Sequence, residues 1–330
     1  MRVLLGGAVG LILLAIASAG IDLGAFLAGL GSADGLLVGL ALVTVLATTA
    51  LKVGRWHSLF CTSPRPAIPR LGRALLVGQM VNAILPARLG DLVRARLSGR
   101  AETGSSATAL GTIGAEKAFD VLFLLICAGL ASLLGSLPGW LHASLAAMAA
   151  LGGTILLIAI VLPEERVLGW IGRWSRREPA SSSAGRAGWA RVLPADAAER
   201  LQAALQRGLI GLGALRRPRE ALVTCAWSLP IWALAVATNY VLFQAFDLKL
   251  SVGAALSLLT LLHVGMAPPS SPGRLGVFHA LTMVGLQSFD VDRASGLAYA
   301  TVLHAVVYGP QVLLGALALA VGRWGRRGRR

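Results

Sequence analysis

An all-α, polytopic membrane fold with about six full spans and two re-entrant helical hairpins, forming an inverted repeat, is what three features of the chain call for. The first is composition: 56% of the 330 residues are hydrophobic and only 14% are charged, at a mean hydropathy of +0.73. A soluble fold would have to expose that apolar excess to water, whereas a bilayer accepts it. The second is that apolar runs near twenty residues alternate with short basic segments. The third is a pair of apolar stretches, one in each half, broken by proline and glycine.

The net charge of +15 raises nucleic acid as a partner, but the basic residues lie between and after apolar runs rather than on one soluble face, so that class is set aside. Cys61, Cys127 and Cys225 form no CxxC pair, which argues against a disulfide framework or a metal site. No nucleotide-binding glycine loop is present, and no cofactor is expected.

Six segments have the length and apolarity of a span: Val3 to Gly20, Gly35 to Val53, Ala107 to Leu134, Trp140 to Leu162, Ala221 to Phe246, and Ser295 to Val321. The first of them, with Arg2 before it and Ala17-Ser18-Ala19 at its end, imitates a secretory signal. An acidic connection and a second span follow at once, so an uncleaved helix is the preferred reading. Basic residues near span ends mark the cytoplasmic side. Lys52, Arg55, Arg65, Arg70 and Arg73 mark it once, the loop 163–219 with Arg173, Arg176, Arg177, Arg216, Arg217 and Arg219 marks it again, and the tail from Arg323 a third time. Asp22 and Asp34 flank a first connection without Lys or Arg, which is therefore outside. A multi-pass protein of the plasma or inner membrane, with both termini cytoplasmic, follows. Trp56 and Trp170, beside basic residues, read as interface anchors.

The stretch from Leu71 to Leu97 is basic before and after, at Arg94, Arg96 and Arg100, so it enters and leaves on the cytoplasmic face. Its first apolar run, Ala74 to Leu85, is short for a crossing and stops at Pro86 and Gly90. The stretch from Ser251 to Phe289 begins and ends outside and is broken by Pro268, Pro269, Pro272, Gly273 and Gly276. Both read as re-entrant hairpins, the alternative being double crossings by short helices. Their tips share a sequence, Pro86-Ala87-Arg88-Leu89-Gly90 and Pro272-Gly273-Arg274-Leu275-Gly276. Each hairpin is followed by a long span, and the two enter from opposite faces. That defines a single integral membrane domain, 1–330, with a first repeat at about 35–162, a second at about 220–322 and a cytoplasmic loop at 163–219. In inverted repeats, interrupted helices meet near the midplane and leave backbone groups to bind polar parts of a substrate.

Charges within spans need a partner or a cavity. Glu116, Lys117 and Asp120 stand about ten residues into one span, and Glu116 and Asp120 share a helix face. Arg88, Arg94 and Arg274 are the partners to expect. Such a cluster could only anchor the hairpins, or it could line a cavity and meet a lipid phosphate, to whose oxygens guanidinium binds in a bidentate manner. Arg88 and Arg274 could equally snorkel to an interface, and Asp91 with Arg94 could be a surface pair. Gln79, Asn82, Asn239 and Gln244 read as glue between helices. His263, His279 and His304 lack metal-ligand spacing and read as hydrogen-bonded structural histidines. In the loop, Asp196 with Glu199 resembles a capping box, opening a cytoplasmic surface helix with Leu201, Leu205 and Leu209 on one side.

Arg55-Trp56, Gly78-Gln79 through Asp91, Glu116-Lys117 with Asp120, and Pro272 through Val277 together resemble the lysylphosphatidylglycerol synthase transmembrane-region family, the flippase-like part of multiple-peptide-resistance proteins. The likeness covers nearly the whole chain. It implies re-entrant helices facing a cavity, movement of lipids across the bilayer, and a stand-alone member without the soluble domain that attaches lysine. Three positions depart from the family pattern. Glu-Arg is replaced by Glu116-Lys117, an acidic residue after the second tip by His279, and an arginine of the last helix by His304, so that His279 and His304 are expected to face each other. A lipid translocator is therefore the first expectation, with Arg88, Asp91, Arg94, Glu116, Lys117, Asp120, Arg274, His279 and His304 lining its cavity. A non-transporting scaffold for a cell-envelope lipid or glycan synthase and an ion-coupled carrier of a small solute are the alternatives. An enzyme is not expected, since no nucleophile with a base is visible. Membrane lipids are the expected partners, with a separate lipid- or glycan-modifying enzyme and self-association as further candidates.

Overall fold

The computed structural model describes residues 18–61, 65–85, 89–99, 105–135, 139–161, 195–267 and 271–327, with isolated positions 12 and 15. Most of the first apolar segment, Trp170, and the tip residues Pro86, Ala87 and Arg88 lie outside the described residues. What is described is helical, with no strand among the described residues: α1 (Leu23–Gly31), α2 (Gly35–Ser58), α3 (Ile68–Ile84), α4 (Leu89–Gly99), α5 (Ser106–Leu133), α6 (Gly139–Val161), α7 (Ala195–Gly211), α8 (Pro218–Ala245), α9 (Val252–Gly265), α10 (Val277–Gln287) and α11 (Arg293–Arg327).

Helix starts are fixed by side chains that take up otherwise unpaired amide hydrogens. Asp22 accepts from the amides of Gly24 and Ala25, and Asp34 from those of Leu36 and Leu37, so both acids of the first connection are caps. Ser105 opens α5 and Ser251 opens α9 in the same way. Among the described residues three helices, Gly35–Ser58, Pro218–Ala245 and Arg293–Val321, are long and apolar enough to cross a membrane. The arms α4 and α10 have 11 residues each and α9 has 14. At 1.5 Å per residue these arms reach about 16 to 21 Å, short of the ~30 Å hydrocarbon core.

The packing partners repeat between the two halves. The long helices α2 and α8 pack on each other. In the first half α3 pairs with α4 and α4 with α5, while in the second α9 pairs with α10 and α10 with α11. The exchange is reciprocal: α3 leans on α11, the helix after the other hairpin, and α9 leans on α5. Close approach sets these contacts. A Cβ at Gly315 of α11 would stand 2.3 Å from Met80 Cβ and 2.6 Å from the Leu76 carbonyl of α3.

The helix expected after the polar loop is present as α7, and it is seated on α5. A Cβ on Gly211 would meet the Thr108 carbonyl at 2.2 Å, and one on Gly111 would meet the Gly208 carbonyl at 2.0 Å. Gly211→Val is therefore expected to lift α7 off α5, seen as faster amide hydrogen exchange across residues 203–211 while α2 and α8 stay protected.

Candidate functional site

Three helices, α2, α4 and α5, bring charges together inside the first half. Arg55, in the last turn of α2, is 1% exposed. Its Nη2 donates to Glu116 Oε1 at 3.1 Å, and its Nη1 donates to Asp120 Oδ1 at 2.8 Å and to Ser228 Oγ at 3.2 Å. Arg94, on α4, donates through Nη2 to the other oxygen of Glu116. Lys117 Nζ lies 3.7 Å from Asp120 Oδ2. Glu116 and Asp120, one turn apart on α5, thus avoid mutual repulsion because each is shared between two cations.

The arginines are aimed by their surroundings. Trp56 is fully buried and donates from Nε1 to Thr112 Oγ1 at 3.0 Å, and the Arg94 guanidinium sits 4.1 Å from the centroid of its ring, a cation–π contact. Arg94 can approach because Gly78 has no side chain: a Cβ there would be 2.9 Å from Arg94 Cβ. At the first hairpin, Gly90 N donates to Asn82 Oδ1 at 2.8 Å and Asn82 Nδ2 donates to Asp91 Oδ1 at 3.2 Å, tying the two arms just beyond the break.

The cluster is buried at one end and accessible at the other. Arg94 and Glu116 are each 4% exposed, whereas the Asp120 and Lys117 side chains are 28% and 44% exposed. Lys52, one turn before Arg55, is half-buried. His263 of α9 is exposed. His263 is steadied by Nδ1–H donated to the Leu259 carbonyl at 2.9 Å and by the Trp232 ring, 4.9 Å centroid to centroid.

The second tip is a left-handed turn, with φ of 67° at Gly273, 56° at Arg274 and 81° at Gly276. Only glycine takes such angles without strain, so Arg274 is held there by its contacts. Its Nη1 donates to Tyr308 Oη at 3.1 Å. His304 Nε2 donates to the Gly273 carbonyl at 3.0 Å, and Ser271 Oγ donates to the Leu275 carbonyl at 2.7 Å. His279 and His304 do meet, with centroids 5.2 Å apart, and Phe278 and Tyr308 close the ring stack around His304 at 5.3 and 4.7 Å. His279 Nδ1 is buried and has no hydrogen-bond partner among the described residues. Pro272 opens the short 3-10 turn Pro272–Arg274, and α3 packs against that turn, so the two hairpins touch.

Several expectations are corrected by this geometry. Trp56 is a buried brace for Arg94, not an interface anchor. Arg94 turns to Glu116 and leaves Asp91 to Asn82, so those two residues form no surface pair. Arg274 bonds Tyr308 instead of a carboxylate. Arg55 and Lys52, read from the charge pattern only as markers of the cytoplasmic side, are buried and half-buried respectively. Their signal was present: Lys52 and Arg55 at i and i+3 end an apolar helix on the side that Trp56 helps to bury. Among the described residues no group of three or more His, Cys, Asp or Glu could hold a metal ion.

No curated protein and no solved structure matches this chain significantly. The sequence profile of the lysylphosphatidylglycerol synthase TM region does match, over residues 3–315, which is nearly every residue considered above. The chain, with its apolar spanning helices and its buried Arg55–Glu116–Arg94 cluster, belongs to the lysylphosphatidylglycerol synthase transmembrane-region family.

Proposed function

We propose that the protein is a flippase-like lipid handler of the cell membrane, with both termini cytoplasmic, in which a headgroup enters a cleft between two re-entrant hairpins. The observation that carries this reading is the gradient within the charge cluster. Its buried end, Arg55–Glu116–Arg94, fastens α2, α4 and α5 together, while its accessible end offers Asp120 and Lys117 to the cleft. A scaffold has no need of accessible charges on helices that cross hydrocarbon, where each costs several kcal/mol on a scale of about 2.5–3.5. A translocator needs them, because a polar headgroup must find replacements for water on its way across. The short arms α4, α9 and α10 support hairpins that turn back within the membrane, and the contact of α3 with the Pro272–Arg274 turn supports a shared midplane site. The same arrangement supports an inverted repeat.

The test is reconstitution of purified protein into vesicles carrying a fluorescent phospholipid, with dithionite quenching to follow transbilayer movement. Wild type is expected to move lipid faster than protein-free vesicles. Asp120→Asn is expected to slow that movement by roughly tenfold, the value of one hydrogen bond to a charged group. Movement no faster than in empty vesicles would refute the translocator.

A further inference from the structure

The second hairpin tip is held by neutral contacts around a cation. His279, on α10, is 5% exposed, and its ring lies 5.2 Å from that of His304 on α11. His279 Nδ1 is the nitrogen left without a partner among the described residues, while His304 donates Nε2–H to the Gly273 carbonyl at 3.0 Å. One residue along, Arg274 donates to the Tyr308 hydroxyl at 3.1 Å, with its guanidinium 5.6 Å from the centroid of that ring. Arg274 makes no ion pair among the described residues, and its φ of 56° is one that a side chain adopts only under strain.

No acid stands ready to neutralise a second cation there. The helices α10 and α11 carry no acidic residue, and Asp292, which precedes α11, is twelve residues before His304, about 18 Å at 1.5 Å per residue. The elements packed on α10, α11 and the tip bring His263 on α9, Arg70 and Arg73 at the start of α3, Lys52, Arg55 and His57 at the end of α2, and Arg219, Glu220 and Tyr240 on α8. Glu220 pairs with Arg65, Asp22 and Asp34 cap helices, and Tyr299 of α11 is turned to Asn239.

We infer that the His279–His304 pair is a proton-binding site that latches the second hairpin: with both rings neutral the tip is seated on α11, and one proton on the pair releases it. An imidazolium on either ring stands beside Arg274 with no carboxylate to share, an arrangement that is costly in a medium of low dielectric. The rings are fixed, because Phe278 and Tyr308 enclose His304 at 5.3 and 4.7 Å. Arg274 is the cation that can leave. The one hydrogen bond of its guanidinium among the described residues is to a neutral hydroxyl, its left-handed backbone relaxes on release, and Leu275 beside it is 45% exposed. The proton therefore binds more tightly when the tip is released than when it is seated, and by linkage acid shifts the tip toward release. Because α3 packs against the Pro272–Arg274 turn, that release also loosens the contact between the hairpins. Histidine suits the task, since its ordinary titration falls between about pH 5 and 8.

The test follows amide hydrogen exchange of the full-length protein in phosphatidylcholine nanodiscs at about pH 7.5 and about pH 5.5, either side of the ordinary histidine titration, with labelling times scaled for the intrinsic pH dependence of exchange. Residues 274–280 are expected to open at least about fivefold more often at the lower pH, the small end of the coupling between two sites, while α2 and α8 stay unchanged. The His279→Gln/His304→Gln protein, which has no ring to protonate, is expected to lose the response. So is Arg274→Gln, which keeps both histidines and removes the cation that the proton opposes. Should the double variant fail to fold, Arg274→Gln alone decides. A wild-type tip indifferent to pH, a response shared equally by α2 and α8, or a full response in either variant would overturn the latch. The inference goes beyond lipid handling and does not depend on it. Vesicles in which wild type moves no lipid refute the translocator alone, and a pH-indifferent tip in a protein that moves lipid refutes the latch alone.

Discussion

Glu116→Gln is expected to be among the most destabilising single changes in the protein. Removing one partner of a buried ion pair costs about 3–5 kcal/mol, because the other charge is left without compensation. Here the lost carboxylate strands two guanidiniums, those of Arg55 and Arg94, which are 1% and 4% exposed. The amide can accept from one of them but neutralises neither. Arg94→Met should cost less, since Glu116 keeps Arg55 and methionine still packs on Trp56. Thermal and denaturant unfolding in detergent, with the double variant to close the cycle, would measure both. A loss below about 1 kcal/mol for Glu116→Gln would mean that solvent reaches the cluster and that its buried end is not what holds α2, α4 and α5 together.

Gly90→Ala is expected to break the first hairpin. The added Cβ would lie 1.9 Å from the Gly78 carbonyl and 2.7 Å from Asn82 Oδ1, and neither can retreat. The carbonyl is part of the α3 backbone, and Asn82 is already bonded to Gly90 N and Asp91. Forced overpacking costs about 1–3 kcal/mol, and parting Asn82 from Gly90 adds about 1 kcal/mol. The damage reaches the charges as well, because Arg94 follows one turn later on α4 and loses its aim at Glu116. Lipid movement in vesicles should fall with stability. Gly39→Ala, where nothing lies within 4 Å of the new Cβ, is the matched control and should change stability by no more than about 0.5 kcal/mol.

How much of this the sequence disclosed depends on the range of the interaction. Span-length apolar runs and helix-breaking pairs are local signals, so the spans at Gly35–Ser58, Pro218–Ala245 and Arg293–Val321 and the breaks before Leu89 and after Gly265 were legible. The first hairpin arm begins at Ile68, ahead of the stretch from Leu71 that the charges delimited, because Pro69 can start a helix although it cannot continue one. Glu116 and Asp120 stood out as acids inside an apolar helix, but their partners are chosen by tertiary packing. Arg55 lies on a different helix, and the rule that places basic residues at the cytoplasmic rim hid it. That His279 and His304 meet was readable because two departures from the family pattern, one acidic and one basic, occur together. That His304 holds the Gly273 carbonyl was not, since a backbone acceptor leaves no mark in the sequence.

The crosswise packing of the hairpins also governs the order of assembly. The first hairpin leaves the ribosome early, yet the face of α3 around Leu76 and Met80 is covered by Gly315 on the last of the described helices to be made. Until that helix arrives, the nascent first hairpin must wait in the insertion machinery or in lipid, half-clothed, and only the completed chain can seat it. Biogenesis is thereby slow to commit, and a half-length fragment would be expected to be cleared by membrane proteases.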